Sequence, residues 1–338
     1  MRKNLATLLT ALILFSCGLT SVGIAEPTDA DAVWELVSDA YIYAFPLVLT
    51  DATKTMSTNT DGSVTGRAPV NQINHAKKLA DASFRTVVTP NVDTLYSQAW
   101  LDIGAEPMVY VLPETDRFCN VQLLDAWTNT AAVLDKAGAY AIALPSWEGE
   151  LPEGVTRVDV PTATVWTIAR IVLSGNEDLP NVYAIQEHVR LLPLSAYLEG
   201  GDYIAPAGTY DKENDFVPVN KVLSMSPAEF FNTANALMQI NPPAEDDAKL
   251  LEKLAAINVG QGMTFDASIL GADAAGMSTC PEVIAAHHCG MEVLGFTMLT
   301  NMAAGILPQP LDELEVLAAA DAGKRAFTAL VRGCLARL

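Results

Sequence analysis

Positive charge is scarce in this sequence. Its 338 residues carry 20 Lys+Arg against 40 Asp+Glu, a formal charge of −20. Nucleic-acid and anionic-membrane binding both need a basic face to displace counterions, so the balance argues against both. Long apolar runs are missing as well. After the N-terminal segment, no stretch holds about 18 uninterrupted apolar residues, the length a membrane-spanning helix needs. Cysteine is sparse, and the scattered thiols Cys119, Cys280, Cys289 and Cys334 do not make the dense framework of a disulfide scaffold. They are expected as buried small hydrophobes, and the ways of pairing them stay open. No Walker loop, dinucleotide fingerprint or serine nucleophile elbow is present. What is plentiful is apolar material: 50% of residues are hydrophobic and 18% charged, which excludes global disorder, and the length allows two or three domains.

The N-terminus reads as an address. Arg2 and Lys3 precede an apolar run from Leu5 to Phe15, and Gly23 and Ala25 place small residues before Glu26. This predicts a secretory signal peptide over residues 1–25, with an apolar stretch too short to remain as a spanning helix. A second processing route uses Leu14-Phe15-Ser16-Cys17 and leaves an acylated Cys17 at the mature N-terminus. The expected location is exported and periplasmic, either soluble or lipid-anchored through Cys17.

Hydrophobic periodicity then divides the chain. Val33, Leu36, Val37, Ala40, Tyr41 and Ala44 share one helical face, and Pro46 is expected to disturb that helix. Asn59 to Pro69 reads as a loop. From Thr86 to Leu173 short apolar runs alternate with turn residues, with strands clearest at Met108–Leu112, Tyr140–Leu144 and Thr164–Leu173; the spacing predicts an antiparallel sheet packed as a sandwich. Ser226-Pro227-Ala228-Glu229 is a capping box opening a helix through Met238. Pro242-Pro243 ends it, and Leu250, Leu251, Leu254 and Ile257 mark the next helix. After Gly260 the texture changes to strand, helix, strand, helix: Ala272–Met277, a helix from Pro281 to Gly290, Glu292–Leu299, and a final amphipathic helix through Leu314, Leu317, Phe327, Leu330, Val331 and Cys334. That order belongs to a parallel α/β unit.

Thr89-Pro90-Asn91-Val92-Asp93-Thr94-Leu95-Tyr96-Ser97, followed by Trp100-Leu101-Asp102, resembles the DUF1254 family of bacterial exported proteins. Tyr41 to Pro46, Asp125-Ala126-Trp127-Thr128-Asn129, Pro145-Ser146-Trp147-Glu148-Gly149, and Val165-Trp166 with Arg170 support it. The resemblance covers roughly Ala32 to Ile269. It implies an immunoglobulin-like β domain followed by a small helical domain, and no defined reaction. A jelly-roll-like second domain that usually follows in that family has no counterpart here.

The run Leu270 to Ala285, with His288-Cys289-Gly290-Met291 and Gly295-Phe296-Thr297-Met298-Leu299-Thr300-Asn301, resembles purine nucleoside phosphorylase. The resemblance implies substrate-binding roles for Met277 and Ser278, at the ribose and phosphate, and a catalytic role for Asn301, hydrogen-bonded to the purine. A Ser at a strand–helix junction suits an anion, because a helix N-terminus offers free N–H groups. An Asn amide both donates and accepts, and such a bond gives about 3 kcal/mol of transition-state stabilisation in a complete site. The family's Gly-rich phosphate loop, Arg-x-His segment and purine-binding Glu find no counterpart, since Gly260 and Gly262 read as part of the preceding resemblance. Glu313 stands where the family has a ribose-contacting His.

Other candidates are weaker. Cys280, His287, His288 and Cys289 suggest zinc, but on a helix starting at Pro281 the two thiols fall on opposite sides, so no metal site is expected. Asn91, Asp93, Tyr96, Asp125, Asn129 and Arg170 form the polar set of the DUF1254-like motifs. Asp93 and Asp125 offer an acid/base or cation-binding pair. The favoured alternative is turn-building by Asn91 and Asp93, with Arg170 paired to a carboxylate across the sheet. His75 and His188 read as isolated.

The expected fold class is α+β and multidomain. Its parts are a signal peptide over 1–25, an immunoglobulin-like β-sandwich over 26–205, a small helical domain over 206–269 and a partial, phosphorylase-like α/β unit over 270–338. The expected function is that of an exported DUF1254-like envelope protein with an incomplete phosphorylase tail; the alternative is purine nucleoside phosphorolysis. No cofactor is expected, with phosphate a co-substrate only under the alternative. Expected partners are a small molecule or an envelope protein, with a homo-oligomer left open.

Overall fold

The computed structural model describes residues 29–81, 91–200 and 203–270, with further helical positions between 318 and 332. The expected signal peptide, Cys17, and the stretch carrying Met277, Ser278, Asn301 and the Cys280–Cys289 group lie outside the described residues. Two compact units divide the chain: Asp39–Asp266, and Met1–Ser38 with Ala267–Leu338.

Helix α1 (Asp29–Thr58) continues without interruption through Pro46, where a disturbance was expected. A proline inside a helix removes one hydrogen bond and costs about 3 kcal/mol. Ala40, Ala44, Leu47 and Val48 are all buried on one face around it, and their burial at roughly 1.5–3 kcal/mol for each larger side chain outweighs that loss.

Nine strands follow: β1 (Ile73–His75), β2 (Thr94–Asp102), β3 (Met108–Leu112), β4 (Cys119–Leu124), β5 (Thr130–Leu134), β6 (Gly138–Ala143), β7 (Val155–Asp159), β8 (Thr164–Val172) and β9 (Arg190–Pro193). They form a five-stranded sheet in the order β1-β2-β8-β4-β5 and a four-stranded sheet in the order β7-β6-β3-β9. Every pairing is antiparallel except β6–β7, which is parallel. The wholly antiparallel sheet expected from the sequence is corrected there. The connection from Leu144 to Gly154 carries the chain back along the sheet instead of turning it as a hairpin.

Period-2 alternation explains how the sheets pack. Leu95, Leu101, Val121, Leu123, Val165 and Ile171 of the larger sheet share one buried cluster with Met108, Tyr110, Leu112 and Ile142 of the smaller. Val182 of helix α2 (Leu179–His188) joins the same cluster. Cys119 is buried as a free thiol, and burial raises its pKa.

Helices α3 (Leu194–Glu199), α4 (Pro218–Leu223), α5 (Pro227–Ile240) and α6 (Ala248–Leu254) complete the described part, which is α+β with two sheets. Ser226 Oγ accepts the N–H of Glu229 at 3.2 Å, capping α5 as the sequence predicts. Phe230 and Phe231 are buried on α5, with the Phe230 ring tilted against Tyr41 at 4.6 Å and the Phe231 ring tilted against Phe265 at 4.6 Å.

Candidate functional site

Strand register places the DUF1254-like motif residues. Tyr96, Arg170 and Asn120 are cross-strand partners on β2, β8 and β4. They lie on the face of the larger sheet opposite the core, because their neighbours Leu95, Ile171 and Val121 point inward. The Arg170 guanidinium sits 5.8 Å from the Tyr96 ring centroid, a cation–π arrangement. Among the described residues no carboxylate lies within ion-pair distance of Arg170. Where a carboxylate partner was expected across the sheet, the guanidinium meets an aromatic ring. The next row on this face is Thr94, Val172 and Phe118. Val172 and Phe118 are exposed, at 37% and 60%. The following rows run through Gln98, Ile168 and Gln122, then Trp100, Trp166 and Leu124, with the two indoles stacked at 4.9 Å and 6°.

Among the described residues, Thr94 Oγ1 and Asn120 Oδ1 are buried polar side-chain atoms left without a hydrogen bond. Both belong to this face, on either side of β8. Each such orphan costs about 1–3 kcal/mol if nothing pairs with it.

Asp125 is elsewhere. Thr94, beside Asp93, pairs with Val172, whereas Leu124, beside Asp125, pairs with Trp166. Six residues of β8 separate the two ends, about 20 Å, so the structure does not bring Asp93 and Asp125 together. Asn91 Oδ1 accepts the Asp93 N–H at 3.2 Å, in an exposed turn. The Asp125 carboxylate accepts the N–H groups of Trp127 (2.8 Å) and Asn129 (2.9 Å) and the Asn129 amide (3.1 Å). It thereby holds Thr128 at φ 69°, a left-handed conformation that is costly for a β-branched residue. Trp127 packs 5.0 Å from Tyr43 and donates to the Asn241 carbonyl. Asp125 builds a turn that joins β4 to the helices.

His75 was expected to be isolated, and it is not. β1 pairs with β2 so that His75 faces Ser97, and His75 Nδ1 lies 2.8 Å from Ser97 Oγ. Gln186 Nε2 donates to the same Oγ at 3.3 Å, and Lys77 Nζ donates to Gln186 Oε1 at 3.1 Å. Burial, with Lys77 nearby, pushes the His75 pKa down to about 4. A nucleophile and a base are within reach of each other, but Ser97 is 1% exposed and so weak a base extracts little at neutral pH. The cluster ties an edge strand and α2 to the sheet. No residue spacing announced it, because β1 has only three residues and its register is set by tertiary packing. His188 Nδ1 lies 2.7 Å from the Ala184 carbonyl of its own helix.

A cavity of about 520 Å³ opens at the end of the sheets, between the β3–β4 and β5–β6 connections. Arg117 and Lys136 line it beside Glu114, Asp116 and Asp135, over a floor of Leu112 and Cys119. Arg117 is already committed to a two-pronged bond with Asp178, and it holds that carboxyl well below the usual range. The lining is therefore of mixed charge with its strongest cation satisfied.

Two separate stretches of this chain are similar to known families. Residues 70–193 match the family described as "Protein of unknown function (DUF1254)", and residues 252–336 match the phosphorylase superfamily. The second match begins at 252, so Gly260 and Gly262 fall inside it.

In particular, the chain is 55% identical over 65 residues to the purine nucleoside phosphorylase of Cellulomonas sp, 19% of this chain and 23% of that enzyme. Purine nucleoside phosphorylase 1 of Geobacillus stearothermophilus is 53% identical over 64 residues, 19% and 23% of the two chains. The Mycobacterium leprae enzyme is 41% identical over 99 residues, 28% and 37%. The chain spans about a quarter of the length of the first of these relatives. The crystal structure of the VPA0106 protein from Vibrio parahaemolyticus is similar in fold, with a TM-score of 0.52 at 23% identity over 75% of this chain and 57% of that one. No helix among the described residues is long and apolar enough to cross a membrane.

Proposed function

We propose that this is an exported, periplasmic binding protein of the DUF1254 type, whose immunoglobulin-like β part recognises a small molecule or an envelope partner. Its phosphorylase-like tail does not catalyse phosphorolysis. One observation carries the second half of the proposal: the phosphorylases compared above are matched over 23–37% of their length, too little to supply both a phosphate cradle and a purine pocket. The first half is supported by a sheet face with a guanidinium and two buried oxygens left without polar partners, and by the separation of the only carboxylates the motifs offered as an acid/base pair. Export rests on residues 1–25, with cleavage before Glu26 or acylation at Cys17.

Purified protein incubated with inosine and phosphate is expected to release no hypoxanthine. The 55% identity over 65 residues favours one competing reading, phosphorolysis by an assembly in which Met277, Ser278 and Asn301 keep their family roles. Phosphate-dependent release that Asn301→Ala abolishes would establish it and overturn the proposal. Intact mass of the chain recovered from cells distinguishes a mature protein starting at Glu26 from one acylated at Cys17. A mass that includes residues 1–16 would refute export.

A further inference from the structure

We propose that the face of the five-stranded sheet opposite the shared core binds the α-carboxylate of an amino acid with an apolar side chain, free or at the end of a peptide, through Arg170. The site belongs to the β part read above as the ligand-binding part, and the inference rests on that reading.

Arg170 is the centre. A half-buried guanidinium in a strand interior normally finds a carboxylate, and a fork of planar donors suits a carboxylate better than any other anion. Here it finds the Tyr96 ring at 5.8 Å, with Asn120 its cross-strand neighbour on β4, and no carboxylate among the described residues. The ring contact uses none of the guanidinium's N–H donors, and among the described residues no carboxylate fills the fork.

An independent observation points the same way. Thr94 is 5% exposed and its Oγ1 has no hydrogen-bond partner. Thr94 stands on the same face, one row from Arg170. Asn120 Oδ1, buried and unpartnered, stands in Arg170's own row. Native folds rarely leave such atoms unpaired. An amino or peptide N–H beside the carboxylate would give Thr94 Oγ1 a donor, which selects an α-amino or α-amido acid over a simple carboxylate.

The flanking row names the side chain. Phe118 and Val172 are exposed next to Thr94, within about 7 Å of Arg170 along the strand. They offer an apolar surface to a substituent held at that distance. The chain's charge of −20 disfavours anions generally, so recognition has to come from the fork geometry rather than from the net field.

The test is calorimetric titration of the full chain with phenylalanine, alanyl-phenylalanine, phenylalaninamide and acetate. Binding of either of the first two, with at least tenfold weaker binding of the amide and of acetate, is expected; which of the two binds tells a free ligand from a peptide end. Arg170→Lys keeps the charge but loses the fork, and should weaken binding at least tenfold with an unchanged melting temperature. Thr94→Val should weaken binding several-fold while leaving the fold intact. Absence of binding to both carboxylates, equal binding of phenylalaninamide, or an Arg170→Lys variant that binds like wild type would each overturn the proposal. None of these outcomes depends on hypoxanthine release, so the two readings fail separately.

Discussion

The side chain of Asn235 is the partner of the Gly260 backbone: its Oδ1 accepts the Gly260 N–H at 2.8 Å. Its Nδ2 donates to the carbonyls of Asn258 (3.0 Å) and Met263 (3.1 Å), and the residue is 1% exposed. One turn earlier on α5, Asn232 Oδ1 accepts the Phe265 N–H at 2.9 Å. Spacing of i and i+3 puts both amides on one helical face. The segment they hold is the beginning of the phosphorylase-superfamily match, and α5 precedes that match. The first residues of the second resemblance are thus folded as part of the unit Asp39–Asp266.

Asn235→Ala is therefore expected to destabilise that unit by about 2–4 kcal/mol, because one buried N–H and two carbonyls lose their partner together. Urea unfolding followed by tryptophan fluorescence measures it. A loss below 0.5 kcal/mol, on the order of an ordinary surface substitution, would show that the loop re-pairs without the amide.

His75 makes stability depend on acid. Its folded pKa is about 4, against about 6.5 for an unfolded histidine. Between those values the unfolded chain binds a proton that the folded chain does not. The contribution is therefore complete above pH 6.5, is lost as pH falls towards 4, and changes no further below that. The full shift corresponds to about 3 kcal/mol, and partial exposure of the ring reduces this to roughly 1–2 kcal/mol. Comparing urea midpoints of wild type and His75→Gln at pH 7, 5.5 and 4 isolates it. Parallel curves for the two proteins would assign the acid sensitivity elsewhere.

Local signals were legible where the physics is local. Ser226 followed by Glu229 marked the α5 cap, and alternation marked β3, β6 and β8, because a buried face imposes period 2 on each strand. What the sequence hid was set by pairing. Arg170 meets Tyr96 rather than a carboxylate, and His75 meets Ser97, only once register is fixed. A strand of three residues has too little pattern to declare its register. Pro46 misled for the opposite reason: a strong local signal was overridden by burial of Ala44, Leu47 and Val48 in a helix of 30 residues. The parallel β6–β7 pair depends on the path of a long connection, which no periodicity encodes.

Tyr110 carries an avoidable cost. It is completely buried and its hydroxyl has no partner, with burial and the neighbouring Cys119 raising its pKa. Removing an unsatisfied hydroxyl removes its desolvation penalty and leaves the ring packing in place. Tyr110→Phe should raise stability by about 1 kcal/mol, seen as a higher melting temperature. A fall of similar size would mean that the hydroxyl is hydrogen-bonded in solution, for instance by a buried water.

Gly208 is required by a close approach between two loops. A Cβ there would lie 2.2 Å from the Thr60 carbonyl oxygen and 2.5 Å from Pro69 Cγ, so one backbone segment has to move. Neither is free to do so. Asn59 Nδ2 donates to the Asp211 carbonyl and Asn59 Oδ1 accepts the Asp211 N–H, both at 2.7 Å, while Gln72 Nε2 donates to the Pro206 carbonyl at 2.6 Å. The loops are pinned on both sides of the glycine. Gly208→Ala is expected to cost about 2–3 kcal/mol through overpacking alone. If pinning is the cause, the cost falls when a pin is removed: in an Asn59→Ala background the same substitution should cost at least about 1 kcal/mol less, since neighbouring sites couple on that scale. A double-mutant cycle by urea denaturation reads the difference, and strictly additive effects would show that the clash is relieved by local movement instead of being held in place by the Asn59–Asp211 pair.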